Sequence, residues 1–163
     1  MTYTVVQAGP GDAAALADQR VAFQRALGAA VPDAGALRRE VMAYVAGELG
    51  RTLWAFLVRD EVTGLVVASA WLVVVVRIPG GRHGNGRMGV VLNVYTDPDH
   101  RHRGLARRLM HEVIETARAL DLARLELAAT PPGRPLYEAL GFTPDVAGSV
   151  PMELALGADA ARV

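Results

Sequence analysis

The 163-residue sequence contains neither cysteine nor lysine. Without cysteine it can form no disulfide and no thiolate metal site, and it has no thiol nucleophile. Without lysine it cannot use a Schiff-base mechanism that needs a lysine amine. Its 17 basic side chains are all arginines, and 17 acidic residues bring the formal net charge to zero. A neutral chain is not typical of a domain built mainly to neutralise phosphates, so we expect no nucleic-acid partner.

Long hydrophobic runs are also missing. The longest apolar run, residues 64–76, includes Ser69 and is too short to span a bilayer, so it predicts a buried strand. Residues 1–8 lack a basic segment followed by an apolar stretch, so we expect no signal peptide. Apolar residues make up 52% of the chain, which is enough for one core. We therefore expect a single domain over residues 1–163, located in the cytoplasm and without a membrane partner.

Hydrophobic periodicity and turn residues predict ten elements in the order β-α-α-β-β-β-α-β-α-β. The strands are predicted at residues 3–7, 53–58, 65–76, 90–96, 123–130 and 150–156. The helices are predicted at residues 13–27, 36–49, 104–120 and 134–140. The order is not a strict βα repeat, so it predicts an α/β (α+β) fold with a mixed sheet. The glycine-rich residues 77–89 predict a mobile loop that closes over a substrate.

Residues 92–108 carry most of the chemical information. A predicted strand ends near Thr96, a polar loop follows, and Gly104 begins the clearest helix of the sequence. A helix start leaves backbone N–H groups unpaired at the positive end of the helix dipole, and glycine lets an anion approach them closely. Positive charge around this point comes from Arg101, Arg103, Arg107 and Arg108. These features predict a pyrophosphate-binding site.

Two other patterns in this region favour less specific interpretations. Residues 84–89 match G-x-G-x-x-G, but a dinucleotide fingerprint follows a strand and opens a helix, whereas this segment precedes the strand at residues 90–96. His100 and His102 form a His-x-His pair without an evident third ligand nearby, so we expect no metal site.

Three short motifs at the expected spacing resemble the GNAT superfamily of acetyl-CoA-dependent N-acetyltransferases. Arg101-His102-Arg103-Gly104-Leu105-Ala106 resembles the family's pyrophosphate loop, Gln/Arg-x-x-Gly-x-Gly/Ala. Thr96-x-Pro98 resembles the Val-x-Pro that closes the fourth strand, and residues 136–142 resemble Leu-Tyr-x-x-Leu-Gly-Phe. The match is close over about residues 88–145, and residues 1–76 agree only in element order. It implies the GNAT fold: a mostly antiparallel central sheet of six to seven strands, splayed between strands 4 and 5 and flanked by about four helices.

The resemblance also implies a role for each matching position. Backbone groups of Val94, Tyr95 and Thr96 would pair with the pantetheine arm of acetyl-CoA, and one N–H near Tyr95 would polarise the thioester carbonyl. The other cofactor contacts would come from Arg101, His102, Arg103, Gly104, Leu105, Ala106, Arg107, Thr130 and Arg134. Thr130 stands where many relatives have an asparagine that contacts the pantetheine. Tyr137 would act as general acid for the leaving thiolate.

The resemblance and the missing cysteine together imply direct transfer of the acetyl group in a ternary complex. No acyl-cysteine can form, so a neutral primary amine of a small molecule or peptide would attack the thioester and release CoA. The amine must lose a proton. Many relatives have a glutamate on the fourth strand where this chain has Asn93, which can orient water or substrate but cannot accept the proton. His83 in the predicted loop is an alternative base.

A second function is compatible with the sequence, because a non-catalytic acyl-CoA-binding regulatory domain would keep residues 101–106 without needing Tyr137. Homodimerisation is common in the family, and residues 65–76 and 151–156 are candidate contact surfaces. Both segments also have an internal explanation as core strands. The acceptor amine is not readable from the sequence.

Overall fold

The computed structural model describes residues 2–81 and 84–144. The five strands in these residues are β1 (Tyr3–Gln7), β2 (Leu53–Asp60), β3 (Val66–Val76), β4 (Arg87–Thr96) and β5 (Arg124–Glu126). The helices are α1 (Ala13–Ala26), α2 (Ala34–Glu48), α3 (Leu105–Ala119) and α4 (Arg134–Ala139), with short 3-10 turns at Pro10–Asp12 and Pro98–His100. The strands form one sheet in the order β1-β2-β3-β4-β5, antiparallel throughout except for the parallel pair β4–β5. The predicted mixed α/β class is confirmed.

The chain divides into two compact units, Met1–Ala128 and Ala129–Val163. The first holds the sheet with α1, α2 and α3, and the described part of the second holds α4. The single domain over residues 1–163 stays a prediction, as do the homodimer and the cytoplasmic location.

In the first unit, apolar side chains are buried on both faces of the sheet, because successive residues of a strand point to opposite faces. On one side, α1 and α2 place Leu16 and Val45 against Leu53, Leu57 and other residues of β2 and β3. Phe56, which alternates with these β2 residues, points to the opposite side and is also buried. The helix α3 contacts β2, β3 and β4 and covers that second side.

Apolar residues at spacings of three or four predict a stripe along α3 that includes Leu120. Five of the six members are buried: Leu105, Leu109, Met110, Val113 and Ala117. The sixth, Leu120, follows the end of α3 and is half-buried. Full burial of one such side chain stabilises the fold by about 1.5–3 kcal/mol, so this stripe anchors the helix. The start of α3 is thereby held rigidly beside the end of β4.

The last predicted strand of the first unit is shorter than the sequence suggested. The prediction was residues 123–130, but β5 ends at Glu126 because its parallel pairing with β4 covers only Met88–Val90 opposite Arg124–Glu126. Gly89 lies at this junction, where an added Cβ would come within 2.5 Å of Leu125 Cδ2. The two strands therefore meet closely over three residues and pair no further, which agrees with the predicted splay.

The glycine-rich loop is shorter than predicted, because β4 already begins at Arg87 and the Asn85 amide holds the loop to the Asp121 carbonyl oxygen at 2.8 Å. His83 and the predicted strand at residues 150–156 lie outside the described residues. The six to seven strands of the prediction thus correspond to five in the described part of the chain.

The strand at residues 65–76, one of the candidate dimer surfaces, is an interior strand of the sheet. It pairs with β2 on one edge and β4 on the other, and the side chains of residues 67–72 are buried. No helix in residues 2–81 and 84–144 combines the length and apolar character that crossing a membrane requires.

Candidate active site

A bulge interrupts β4 at Asn93. Opposite β3, Tyr95 pairs with Ser69 and Leu92 pairs with Trp71, so β4 has one residue more than its partner. Asn93 adopts a left-handed backbone with φ of 51°, which is uncommon for a residue other than glycine. Its side chain is 2% exposed and its Nδ2 donates to Ser69 Oγ at 3.0 Å. Strained, buried residues of this kind concentrate at functional sites.

Beyond the bulge, the backbone edge of β4 on the side of β5 has no strand partner in residues 2–81 and 84–144. The Asp97 N–H donates to the Val67 carbonyl oxygen of β3 at 2.9 Å. Successive residues of a strand direct their amides to alternate edges, so the amides of Thr96 and Val94 point away from β3. The pairing of β4 with β5 has already stopped at Val90, and no strand of the described residues pairs with this edge. An extended ligand can add to such an edge as a strand does.

The start of α3 follows directly and has the geometry of an anion site. Gly104 precedes the helix with φ of 74°, and His102 is also left-handed with φ of 59°. No side chain caps the helix, and its first helical hydrogen bond joins the Arg108 N–H to the Gly104 carbonyl oxygen at 3.1 Å. The amides of residues 105–107 are therefore outside the helical ladder and can bind an anion. A Cβ at Gly104 would have no neighbour within 4 Å, so space is open here.

Three of the predicted arginines are tied to nearby backbone carbonyls. Arg101 Nε donates to the Thr96 oxygen at 3.1 Å, and Arg108 Nη2 donates to the Tyr3 oxygen at 2.9 Å. Arg103 Nη2 donates to the Asp99 oxygen at 3.3 Å. A neutral carbonyl orients a guanidinium without removing its charge. The exposed Arg101, Arg107 and Arg108 therefore keep the helix start electropositive.

The two histidines of this loop have different surroundings. His100 Nδ1 lies 3.0 Å from the Tyr3 hydroxyl oxygen, and the two rings meet edge-on, whereas His102 is exposed. The described ranges contain no group of three or more His, Cys, Asp or Glu side chains that could hold a metal ion. His102 contributes its left-handed backbone to the helix start.

Asp97 is a candidate site residue that sequence reasoning missed. It follows Tyr95 by two residues and lies on the same face of β4, partly buried. Burial raises the pKa of Asp97, while hydrogen bonds from Tyr95 and Gln19 and the charge of His100 act against the rise. Burial and the neighbouring Asp97 raise the pKa of Tyr95. The two-residue period from Tyr95 was the signal that could have identified this carboxylate.

The face of β4 that carries Tyr95 is turned towards α1. The Phe23 ring of α1 meets the Tyr95 ring edge-on, with centroids 6.4 Å apart, and Leu92 on the same face is 43% exposed. Three buried polar atoms on this side have no hydrogen-bond partner among the described residues: Gln19 Oε1, Trp71 Nε1 and Asn93 Oδ1. Such atoms are rare in protein interiors and each requires an explanation, which a polar substrate or ordered water would supply.

In the second unit, Tyr137 is 9% exposed and its ring meets the Phe142 ring edge-on at 6.0 Å. Burial raises the pKa of Tyr137, so its hydroxyl is protonated at neutral pH and can donate a proton. The Thr130 carbonyl oxygen accepts hydrogen bonds from the amides of Gly133 and Arg134, and Arg134 Nε pairs with Glu138 at 2.6 Å. The cofactor contacts assigned to Thr130 and Arg134 stay predictions.

Solved structures of other proteins share this architecture. One is the crystal structure of a predicted acetyltransferase with acetyl-CoA from Clostridium acetobutylicum. The match covers 94% of this chain and 97% of that one, with 21% sequence identity and a TM-score of 0.82. A GCN5-related N-acetyltransferase from Ralstonia eutropha JMP134 matches 93% of this chain and 99% of its own, with 24% identity and a TM-score of 0.78. At these identities the likeness establishes the fold. Among curated protein sequences, none matches the chain.

The family itself is established by a sequence model. The model for the acetyltransferase (GNAT) family matches residues 24–142, which include the bulge of β4, the start of α3 and Tyr137. This range is well over half of the chain, and the resemblance seen in the motifs is thereby confirmed. The chain belongs to the acetyltransferase (GNAT) family.

Proposed function

We propose that the protein transfers an acetyl group from acetyl-CoA directly to a primary amine of a small molecule or peptide. The observation that carries this proposal is the unpaired edge of β4 at residues 94–96, which leads within ten residues to the uncapped, left-handed start of α3. A strand-like ligand arm that ends in a pyrophosphate needs these two features in this order.

The chain's residues fit acetyl-CoA in shape and charge. The amide of Thr96 would bond its pantetheine arm, and the amides of residues 102–107 would hold its pyrophosphate. Gly104 leaves open space at this point, and Arg101 and Arg107 add positive charge. When bound, acetyl-CoA supplies the activated acetyl group as a thioester. A correctly aimed N–H at the developing oxyanion contributes about 3 kcal/mol of stabilisation, and Val94 at the bulge is our candidate for it.

Asp97 is our candidate for the proton acceptor, in place of the His83 considered from sequence. The raised pKa of Asp97 makes its carboxylate a better base than an ordinary aspartate, and Tyr95 and Gln19 hold it in place. Asp97 would take the proton from the amine, whose nitrogen attacks the thioester carbonyl carbon. The C–N bond forms as the C–S bond breaks, and Tyr137 would protonate the departing sulfur. Asn93 supports the bulge that aims the Val94 amide.

A non-catalytic acyl-CoA-binding domain is the alternative function. It would bind acetyl-CoA at the same edge and helix start, but it would have no use for a proton donor or acceptor. Replacing Tyr137 by phenylalanine and Asp97 by asparagine distinguishes the two, because only an enzyme loses CoA release in both variants.

Isothermal titration with acetyl-CoA tests the binding part of the proposal. We expect micromolar binding by the wild-type chain and its loss in an Arg101→Ala, Gly104→Glu double variant. Arg118→Glu, at the opposite end of α3, changes the net charge by the same amount and serves as the matched control that keeps binding. A folded wild-type protein that does not bind acetyl-CoA would refute the proposal.

A further inference from the structure

One partly buried arginine lacks the partner that the others have. Four arginines in residues 2–81 and 84–144 are partly buried. Three of them form ion pairs: Arg38 with Asp18, Arg59 with Asp12 and Arg124 with Glu126. The fourth, Arg20 on α1, has no carboxylate and no hydrogen-bond acceptor in this part of the chain. Burial lowers the pKa of Arg20, which is the direction expected for a cation without a counter-ion.

Arg20 lies on the side of α1 that faces the sheet near β4. Its guanidinium carbon is 5.7 Å from the centroid of the Phe23 ring, one turn along the helix. Phe23 in turn contacts Tyr95 on β4. One turn in the other direction, Leu16 is fully buried in the cluster that contains Trp71. The unpaired cation therefore lies beside the face of β4 on which the proposed acetyl transfer takes place.

The same face carries an opposite charge that Arg20 does not neutralise. The Asp97 carboxylate lies beside Tyr95, and Arg20 is not among the charges that act on it. Tyr95 and Gln19, which hydrogen-bond to this carboxylate, are uncharged. Besides burial, the charge of His100 lowers and that of Asp99 raises the pKa of Asp97. No ion pair joins Asp97 to another described residue, so its carboxylate and the Arg20 guanidinium remain available for a ligand. The unpartnered Gln19 Oε1 and Trp71 Nε1 lie on this side as well. A molecule with an ammonium at one end and an anion at the other complements this arrangement.

We propose, building on the acetyltransferase function above, that Arg20 binds a carboxylate of the acceptor, which is a small amine bearing that group. The planar guanidinium bonds a carboxylate through two parallel N–H groups. A single unpaired arginine balances one negative charge, which favours a carboxylate over a doubly charged phosphate. Asp97 then receives the ammonium end of the same molecule.

A second cationic surface lies in the open groove between α1 and α2, and it is less suited to this role. Arg38 on its rim already pairs with Asp18 at 2.6 Å, which also raises the pKa of Arg38. Arg25, which lines the same groove, is exposed to solvent. Arg25→Met is therefore the matched control for Arg20→Met, because both remove one charge from the same helix.

The test compares amines that differ only in the carboxylate. Suitable pairs are β-alanine with ethylamine, γ-aminobutyrate with propylamine, and phenylalanine with phenethylamine, with phosphoethanolamine as a separate arm. CoA release is followed with a thiol reagent, and the absence of cysteine from the chain removes the protein background. We expect the wild type to favour the carboxylate member of at least one pair. Arg20→Met should raise KM for that member about tenfold to a hundredfold, as expected for a lost charge-assisted hydrogen bond, and leave its partner amine unchanged.

Several outcomes would overturn the inference. Equal losses for both members of a pair would show that Arg20 only supports Phe23 by packing. The same loss of preference in Arg25→Met would move the anion to the groove, and a preference for phosphoethanolamine over β-alanine would exclude the carboxylate. Titration with acetyl-CoA distinguishes failure of the proposed acetyltransferase function from failure of the proposed acceptor class. No binding refutes the acetyltransferase proposal, whereas binding without release by any carboxylate-bearing amine refutes the acceptor class alone.

Discussion

Two glycine substitutions measure whether the start of α3 has the left-handed backbone on which the proposed anion site depends. Gly104 has φ of 74°, and Gly47 lies within α2 without a positive φ. A Cβ at either position meets nothing within 4 Å, so neither alanine variant is complicated by a clash. A left-handed backbone costs an alanine about 1–2 kcal/mol, whereas alanine in place of a helical glycine stabilises by about 0.4–1 kcal/mol.

Gly104→Ala should therefore lower the free energy of unfolding, and Gly47→Ala should raise it, a difference of about 1.5–3 kcal/mol between the two variants. For a chain of this size the midpoint of thermal unfolding would fall by about 2–8 °C in Gly104→Ala and rise by about 1–4 °C in Gly47→Ala. Urea titration and thermal denaturation followed by circular dichroism measure both. If the two variants shift in the same direction, Gly104 is not left-handed in solution and the argument for the helix start fails.

Three further predictions concern the proposed catalytic groups and the bulge. Because its folded-state pKa is raised, Asp97 adds stability only below its unfolded pKa and loses that contribution as pH rises through the folded value. Asp97→Asn should therefore be more stable than wild type in thermal melts at pH 7, and the difference in stability should vanish below about pH 4. The same variant should release CoA more slowly. A variant that is destabilised and fully active would contradict both expectations. Tyr137→Phe should lower kcat by about a hundredfold or more without changing acetyl-CoA affinity in titration, and unchanged kcat would exclude general acid catalysis. Ser69→Ala leaves the Asn93 Nδ2 donor without its acceptor and should cost about 1–3 kcal/mol in urea unfolding, a value that a loss under about 0.5 kcal/mol would contradict.

The parts of the fold that were predictable from sequence are those set by local patterns. The stripe from Leu105 to Ala117 repeats at helical spacing, and Gly104 in front of it is the residue a left-handed backbone favours. The length of β5 was not predictable, because nothing in the composition of residues 123–130 marks where strand pairing stops. Its end at Glu126 depends on how far β4 runs alongside, and that is a property of the whole sheet.

In the candidate site, too, residues in a local motif were predictable, whereas residues brought together by tertiary packing were not. The pyrophosphate loop is a contiguous motif, so its residues could be predicted as a group from the sequence. Arg20 and Asp97 had no such signal. On sequence alone, an arginine within a helix or an aspartate after a strand is most often a solvated charge. Only the tertiary structure shows that Arg20 is partly buried without a counter-ion and that Asp97 faces Tyr95.

For Asn93, the sequence predicted a place in the site, and the tertiary structure shows its conformation. The sequence predicts that Asn93 orients water or substrate where many relatives have a glutamate. In the structure its buried side chain bonds Ser69 and its backbone is left-handed. Asparagine tolerates that backbone better than most residues, so its identity fits the bulge without any role in proton transfer. The bulge places one extra residue in β4 and thereby sets which amides beyond it face away from β3. We infer that Asn93 acts on the reaction through the aim of the Val94 amide, while the proton is taken by Asp97.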